Sequence, residues 1–589
     1  MTPRSEAHER PNVLMILTDD QGWDDLAHHG NPCLETPRLD ALARESVEFA
    51  NYYVASVCAP SRASLLTGRH FLRTGVAHVH GGKDFVHPDE TMIGEVFRDA
   101  GYRTAMWGKW HSGKTTGYFP WERGFDEAYM AGLYRHRDNR GRFNGERREH
   151  EGWTVDTLTD YAIEFMERSR EEPFFIFLPY LTCHAPLVAP EELIGKYEEK
   201  GLGSGLATIY AMLDQLDTNI GRLLDTMEDL GLAEETVVLF MSDNGPAYLP
   251  GRITEEDLRR RYVNGYKGHK GNMWENGIKS PLFVRRPGRF EPHTVGRLCD
   301  ICDVFPTLLD ICGIEPPGDL PPLDGRSILP YLEGDEEALP PKESYIYVSP
   351  GWPPDPTEPW SPEGRFREYD PVPPEEKPEL PVGVQLVSLR DEEWKLLRNP
   401  GEVPDAPEPV DGQVLIHIAE DPREDRNLAA SEEDVLEAIR GKLTAWFEEV
   451  KREPHSFHTP TFKLGPGTTN FVAGYAPVRV RGSVLNGATF SMGWGAPGDG
   501  ADYLIDVTEP GRYALRMGYR KQPGRSATVR LRAADALLTA RIEAEEEQEL
   551  GVMDLPAGPY KLSVDILEAD RGQGPVIERL HRISFQPLS

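Results

Sequence analysis

Residues 12–26 read NVLMILTDDQGWDDL: an almost unbroken apolar run, Asn12–Thr18, followed at once by Asp19-Asp20. A short run without alternation predicts a strand buried on both faces. Three more runs share the design. Tyr102–Trp107 leads into Lys109-Trp110-His111, Phe174–Leu181 into Cys183-His184, and Thr236–Met241 into Asp243-Asn244. Stretches of helical period separate them: Pro37–Glu48 (with Leu39, Leu42 and Val47 on one face), Thr91–Ala100 closed by Gly101, Thr157–Arg168 and Ile209–Leu230. Strands alternating with helices predict an α/β fold, a large, mixed, mostly parallel sheet sandwiched by helices. Ligands of open α/β sheets bind at the carboxyl ends of the strands. Four strands that end in reactive side chains therefore point to one shared site.

Beyond residue 340 the texture changes twice. Ser344–Val348, Val384–Arg390 and Val414–His417 read as strands and Ser431–Lys451 as a helix, giving a small α+β subdomain over 341–455 with a proline-rich loop at 350–381. From 456 to 589, Val478–Arg481, Tyr503–Val507, Tyr513–Tyr519, Ala527–Arg532 and Tyr560–Ile566 alternate apolar and polar residues between Gly, Pro and Asp. That pattern predicts an extra antiparallel β-sandwich. The first unit spans 10–340.

The 589 residues carry 64 Lys and Arg against 97 Asp and Glu, a net charge of -33. This balance argues against a general nucleic-acid or anionic-membrane binder. No run of about 18 uncharged apolar residues is present, so no membrane span is expected. Met1 to Glu9 lacks the apolar core of a secretory leader; as written the chain reads as cytoplasmic, or as periplasmic or secreted if a leader was removed. Six cysteines are too few for a disulfide scaffold, and Cys33, Cys183, Cys299, Cys302 and Cys312 read as buried apolar residues.

Cys58 differs. It precedes the helical run Ala63–Leu66, closed by Gly68, so it falls at or just before a helix N-terminus, where the dipole favours an anion; Arg62 adds a fixed charge one turn on. Asp19, Asp20, Asp243 and Asn244 offer oxygen at two strand ends. Adjacent aspartates repel, and a hard divalent cation, calcium or magnesium, would relieve them. Arg62, Lys109, His111, His184 and Lys270 form the cationic set. A metal and several cations around a nucleophile suit a tetrahedral oxyanion ester. The crowded stretch Tyr134–Arg148 reads first as a solvated loop, with the rim of an anionic sugar pocket, within reach of His80, His136 and His269, as the alternative. Trp352, Trp360 and Trp494 read as structural, with sugar stacking as the alternative. Glu543–Glu549 reads as solvated surface.

The run CAPSRASLLTGR, Cys58 to Arg69, resembles the type I sulfatase signature of the alkaline phosphatase superfamily, with its core Cys-x-Pro-Ser-Arg. NVLMILTDDQGWDDL, GYRTAMWGKWH (101–111), SDNGP (242–246), KGNMWENGIKSPLFVRRPG (270–288) and DPREDRNLA (421–429) are similar to further family motifs, in the family's order over about 10–450. Two departures stand out: Glu275-Asn276-Gly277-Ile278-Lys279-Ser280-Pro281 where the family often has Glu-Gly-Gly-Ile-Arg-Val-Pro, and Cys183 where Thr or Ser is common.

The resemblance implies an alkaline phosphatase-like fold and a sulfuric ester hydrolase. It implies that Cys58 is oxidised to Cα-formylglycine by a separate formylglycine-generating enzyme. Asp19, Asp20, Asp243 and Asn244, with residue 58, match calcium ligands; Arg62, Lys109, His111, His184 and Lys270 match groups around nucleophile and sulfate. An aldehyde hydrate carries two hydroxyls on one carbon: one attacks sulfur, and deprotonation of the other expels sulfate. His111 is the expected base and His184 the expected acid. The expected substrate is a sulfated saccharide, with aryl sulfate as a surrogate. Two other readings are a phosphonate monoester or phosphodiester hydrolase on the same fold, and a non-catalytic glycan-binding protein in which residue 58 stays Cys.

Overall fold

The run Asn12–Thr18 is a strand of those bounds, and every one of its residues is buried. The computed structural model describes residues 10–349 and 369–588. Trp352, Trp360 and positions 350–368 of the proline-rich loop lie outside the described residues.

Eleven strands fall between residues 12 and 295: β1 (Asn12–Thr18), β2 (Val47–Phe49), β3 (Tyr52–Tyr53), β4 (Arg103–Gly108), β5 (Glu127–Met130), β6 (Arg140–Phe143), β7 (Glu146–Glu149), β8 (Phe174–Pro179), β9 (Thr236–Ser242), β10 (Leu282–Arg285) and β11 (His293–Val295). Among the described residues, all but β3 join one sheet in the order β11-β2-β10-β9-β1-β8-β4-β5-β6-β7. The centre, β9-β1-β8-β4, is parallel throughout. Val13, Met15 and Leu17 enter one hydrophobic cluster while Leu14 and Ile16 enter another on the opposite face. Side chains alternate across a strand, so a run with no polar alternation is what two covered faces require.

The second face is covered by α1 (Pro37–Arg44), the helix Thr154–Ser169 and the helix Ser204–Asp229, through Leu39, Leu158 and Leu213. The first is covered by α2 (Cys58–Thr67), the helix Val304–Ile311 and the helix Glu433–Val450, through Leu65, Leu308 and Phe447. Helix α1 is shorter than expected. It stops at Arg44, and Val47 starts β2 and pairs with Val284 of β10. A β-branched residue next to an open strand edge gains more from pairing than from a third helical turn.

Ser344–Ser349, Leu386–Arg390, Trp394–Arg398 and Gln413–His417 form an antiparallel sheet under the helix Glu433–Val450. The third of these strands was not expected from sequence. From Thr461 on, two facing sheets enclose a separate core that includes Trp494, Leu531 and Val564. The pairing is antiparallel except that Thr461–Leu464 runs parallel to Gly500–Val507. Ala536–Ile542, Glu547–Leu555 and Ile577–Leu588 are further strands. Glu547 and Glu549 face solvent from the second of them. Trp494 is buried, with its indole N–H donating to Ser491 Oγ, so it is not a sugar platform.

The sandwich closes on the loop at 79–84. Asn486 Nδ2 donates to Gly81 O at 3.1 Å, and Gly81 N–H donates to Ala488 O at 3.1 Å. A Cβ on Gly82 (φ 80°) would lie 2.6 Å from that of Ala476, so only glycine permits the approach.

Candidate active site

Four parallel neighbours place four carboxyl ends side by side: Asp243-Asn244 after β9, Asp19-Asp20 after β1, Cys183-His184 after β8, and Lys109 to His111 after β4. Backbone bonds lock the ends together: Asp243 N–H to Thr18 O at 3.1 Å, Asp19 N–H to Thr182 O at 2.8 Å, and Lys109 N–H to Pro179 O at 2.8 Å. Asp20 (φ 62°) and His111 (φ 58°) hold left-handed backbone, a cost that residues of their type carry where the side chain must be aimed.

Cys58 is the first residue of α2, whose other end turns through Gly68 (φ 67°). Its Sγ lies 3.3 Å from His111 Nδ1. One ligand atom each of Asp19, Cys58 and Asp243 falls within 4.8 Å of the others, all three residues buried. Each carboxylate has its own cation. Lys109 Nζ donates to Asp19 Oδ2 at 2.7 Å, Lys270 Nζ to Asp20 Oδ1 at 2.5 Å, and Arg62 Nη2 and Nε to Asp243 Oδ2 at 2.8 and 3.0 Å. Arg62 Nη1 also donates to Lys109 O at 2.6 Å, and Asn244 Nδ2 to Asp20 Oδ1 at 2.8 Å. All ten residues singled out from sequence thus meet in one place.

Burial works against the Asp19 carboxylate, but Lys109, His184, Lys270 and Arg62 outweigh it and hold the group well below the usual carboxylate range. Burial, then the Asp19 charge, pushes Asp243 up to about 8 despite Arg62. Two acids at odds inside a dry site are what a shared cation would reconcile. The donor set fits one. Asp19 Oδ1 and Asn244 Oδ1 are buried without a hydrogen-bond partner among the described residues, and the remaining oxygens are hard donors.

His111 Nε2 donates to Val79 O at 2.8 Å, which leaves the Nδ1 lone pair toward residue 58. Burial and Lys109 bring its pKa down to about 3, so the ring is neutral. Asp84 stands 3.7 Å from its Nε2. His184 Nδ1 donates to Ala185 O at 2.6 Å, and its Nε2 lies 3.9 Å from Asp20 Oδ2. Tyr134 tilts over the His184 ring at 5.1 Å and its hydroxyl lies 3.4 Å from His80 Nε2, while the His80 and His111 rings are 5.9 Å apart. His80 and Tyr134 therefore bridge the two catalytic-candidate histidines in an arc.

The rest of the alternative rim lies elsewhere. His136 Nε2 donates to His184 O at 2.7 Å, a supporting contact, and His269 stacks on Tyr248. The arginines of β6 and β7 sit on the outermost hairpin of the sheet, where Arg142 and Arg147 line a cleft of about 960 Å³ against the sandwich. Burial pushes the Cys183 thiol far up, as it does Cys299 and Cys302, so these are apolar residues here. Asp84 and Val79, which hold His111, carried no sequence signal: one is a lone acid in a loop and the other acts through its backbone.

The Sulfatase family model matches residues 11–314. This chain belongs to the sulfatase family. Human N-acetylgalactosamine-6-sulfatase is 32% identical over 364 residues, covering 56% of this chain and 67% of that protein. Mouse steryl-sulfatase is 29% identical over 432 residues, covering 57% and 67%. The crystal structure of Ps i-CgsB in complex with k-i-k-neocarrahexaose superposes with a TM-score of 0.62 at 23% identity, over 76% of this chain and 95% of that one, a likeness of fold. The sulfatase is a sulfuric ester hydrolase with the alkaline phosphatase-like architecture expected above.

Proposed function

We propose that this sulfatase removes sulfate from a saccharide ester, with residue 58 as nucleophile in its Cα-formylglycine form. The observation that carries the reading is the seat of Cys58: buried, at a helix N-terminus, in one cluster with Asp19 and Asp243 and beside His111 Nδ1. Asp19, Asp20, Asp243, Asn244 and residue 58 would hold calcium. Bound there, it would supply positive charge that favours the ionised nucleophile. The hydrated formylglycine supplies a geminal diol, one hydroxyl to attack and one to release the sulfate.

The chain's own residues do the rest. Arg62 and Lys109 hold the carboxylates in place and keep residue 58 in a positive field. His111 takes a proton at Nδ1, its ring fixed through the Nε2 bond to Val79. Lys270 and His184 face the sulfate, and His184 Nε2, across from Asp20, gives a proton to the departing alcohol oxygen. Tyr134 and His80 present an aromatic, hydrogen-bonding wall, which suits a sugar ring. The charge of -33 favours a small saccharide or a chain end over a long polyanion lying across the surface. The division into a catalytic unit (10–340), an α+β subdomain (341–455) and an accessory sandwich (456–589) belongs to the same reading.

Mass analysis of the peptide around residue 58, joined to a panel of sulfated saccharides with aryl sulfate and aryl phosphonate beside it, tests the proposal. It expects the aldehyde or its hydrate at 58 and sulfate release from a saccharide. An active enzyme with an unmodified thiol ends the nucleophile assignment; faster aryl phosphonate turnover ends the substrate assignment.

A further inference from the structure

Away from the oxygen cluster, three histidines meet where the α/β body hands over to the sandwich. His87 and Asp89 lie in the loop before the helix Ile93–Asp99; His455 and His458 lie in the connector before Thr461. The His87 and His455 rings stack at 3.7 Å and 12°, and His458 stands edge-on to His87 at 4.4 Å. One ligand atom each of His87, Asp89 and His455 falls within 4.8 Å of the others. Asp89 Oδ2 is 3.8 Å from His87 Nδ1 and 3.9 Å from His455 Nε2. Ligands of a tetrahedral zinc ion stand roughly 3.3 Å apart, so the set closes when the stacked rings tilt apart to aim their in-plane nitrogens at one point.

One imidazole lone pair is bare and the other is held by a single long bond. Glu90, gripped by Arg69 Nη1 at 2.7 and 2.8 Å, accepts from His455 Nδ1 at 2.7 Å. That contact puts the proton on Nδ1 and leaves Nε2 bare toward Asp89, the arrangement in which a carboxylate orients a metal-binding imidazole. His87 Nδ1 accepts the Asp89 N–H at 3.2 Å, a long bond that a metal ion at this nitrogen would replace. His458 Nε2 is buried with no hydrogen-bond partner among the described residues. The cluster of His28, His29 and Glu48 lacks this feature: both Nε2 atoms already bond Glu48, at 3.1 and 2.8 Å.

We propose that His87, Asp89 and His455 form a zinc site, with His458 edge-on beside it, that staples the connector at 455–458 to the α/β body. Imidazole nitrogens with one carboxylate select a borderline ion over calcium. Through Glu90 and Arg69 the staple also braces the residue after the Gly68 turn of α2, the helix that begins at Cys58.

The test uses the full chain with excess calcium to fill the oxygen cluster. Zinc retained after dialysis is counted per chain, and Co(II) is titrated for its visible ligand-field bands. Wild type is expected to keep one zinc and to melt at higher temperature with it. His455→Ala is expected to lose the zinc and the thermal shift. Asp89→Asn, an exposed and near-isosteric change that leaves folding intact, is expected to weaken zinc at least about 10-fold. Absence of calcium-resistant zinc in wild type overturns the proposal, as does zinc binding unchanged in Asp89→Asn.

Discussion

The strand ends of the large sheet and the strands of the sandwich bury opposite things. At the sheet edge, Arg62 and Asp243 pair with both side chains 0% exposed. In the sandwich, Arg512 and Asp554 pair with side chains 68% and 81% exposed. Taking ions out of water costs several kcal/mol each, and their attraction returns only part of it. The sandwich follows the ordinary rule, with apolar residues inside and charge outside. The sheet edge breaks it at six charged residues, and the breach lies where residue 58 and the orphaned oxygens of Asp19 and Asn244 meet. Stability is given up where chemistry needs fixed charge.

The sharpest way to break this contrast is Cys58→Ala. Loss of a covalent nucleophile lowers kcat on the order of 10⁶-fold, while the unfolding midpoint hardly moves. Near-wild-type turnover in that variant would remove the reason for the buried charges. Asp243→Ala comes next. It strands the Arg62 guanidinium and is expected to cost about 3–5 kcal/mol in urea unfolding, together with the calcium dependence of activity. A variant as stable as wild type would mean that the pair is not the cost described above. On the other side, Leu531→Ala should open a cavity and cost about 3 kcal/mol, with kcat unchanged well below the melting point. A fall in kcat there would show that the sandwich shares in catalysis.

The pH effect is smaller. Burial lowers His70, on the α/β side, from 6.5 to about 3. The unfolded chain therefore binds the proton first. Stability from this group is complete above pH 6.5 and is lost as pH falls toward 3, amounting to about 2 kcal/mol by pH 5. Urea midpoints of wild type and His70→Gln at pH 7 and pH 5 check it, with the flatter response expected in the variant. Least of all, Arg512→Ala should change sandwich stability by less than about 0.5 kcal/mol.

Sequence alone showed most of the sheet edge because its strands announce themselves twice, by an apolar run and by the reactive residues that end it. Asn12–Thr18 followed by Asp19-Asp20 is such a pair. Residues that act through backbone or through a loop gave no such signal: Val79 orients His111 with a carbonyl, and Asp84 approaches it from 27 positions away. The crowd of basic residues at 134–148, read first as a solvated loop, divides for a related reason. Tyr134 and Arg142 are near neighbours in the chain, but a strand hairpin carries one to His184 and the other to the far edge of the sheet. Strands such as Ile577–Leu588 were missed because polar residues on their wet face dilute the apolar signal.

Cys58 is 2% exposed, at the head of a helix with no exposed residue. Any enzyme that must grip the surrounding backbone to oxidise this thiol finds no handle on the finished protein. The oxidation proposed for residue 58 would then belong to the interval between synthesis and collapse of the chain, and a molecule that folded first would keep its thiol.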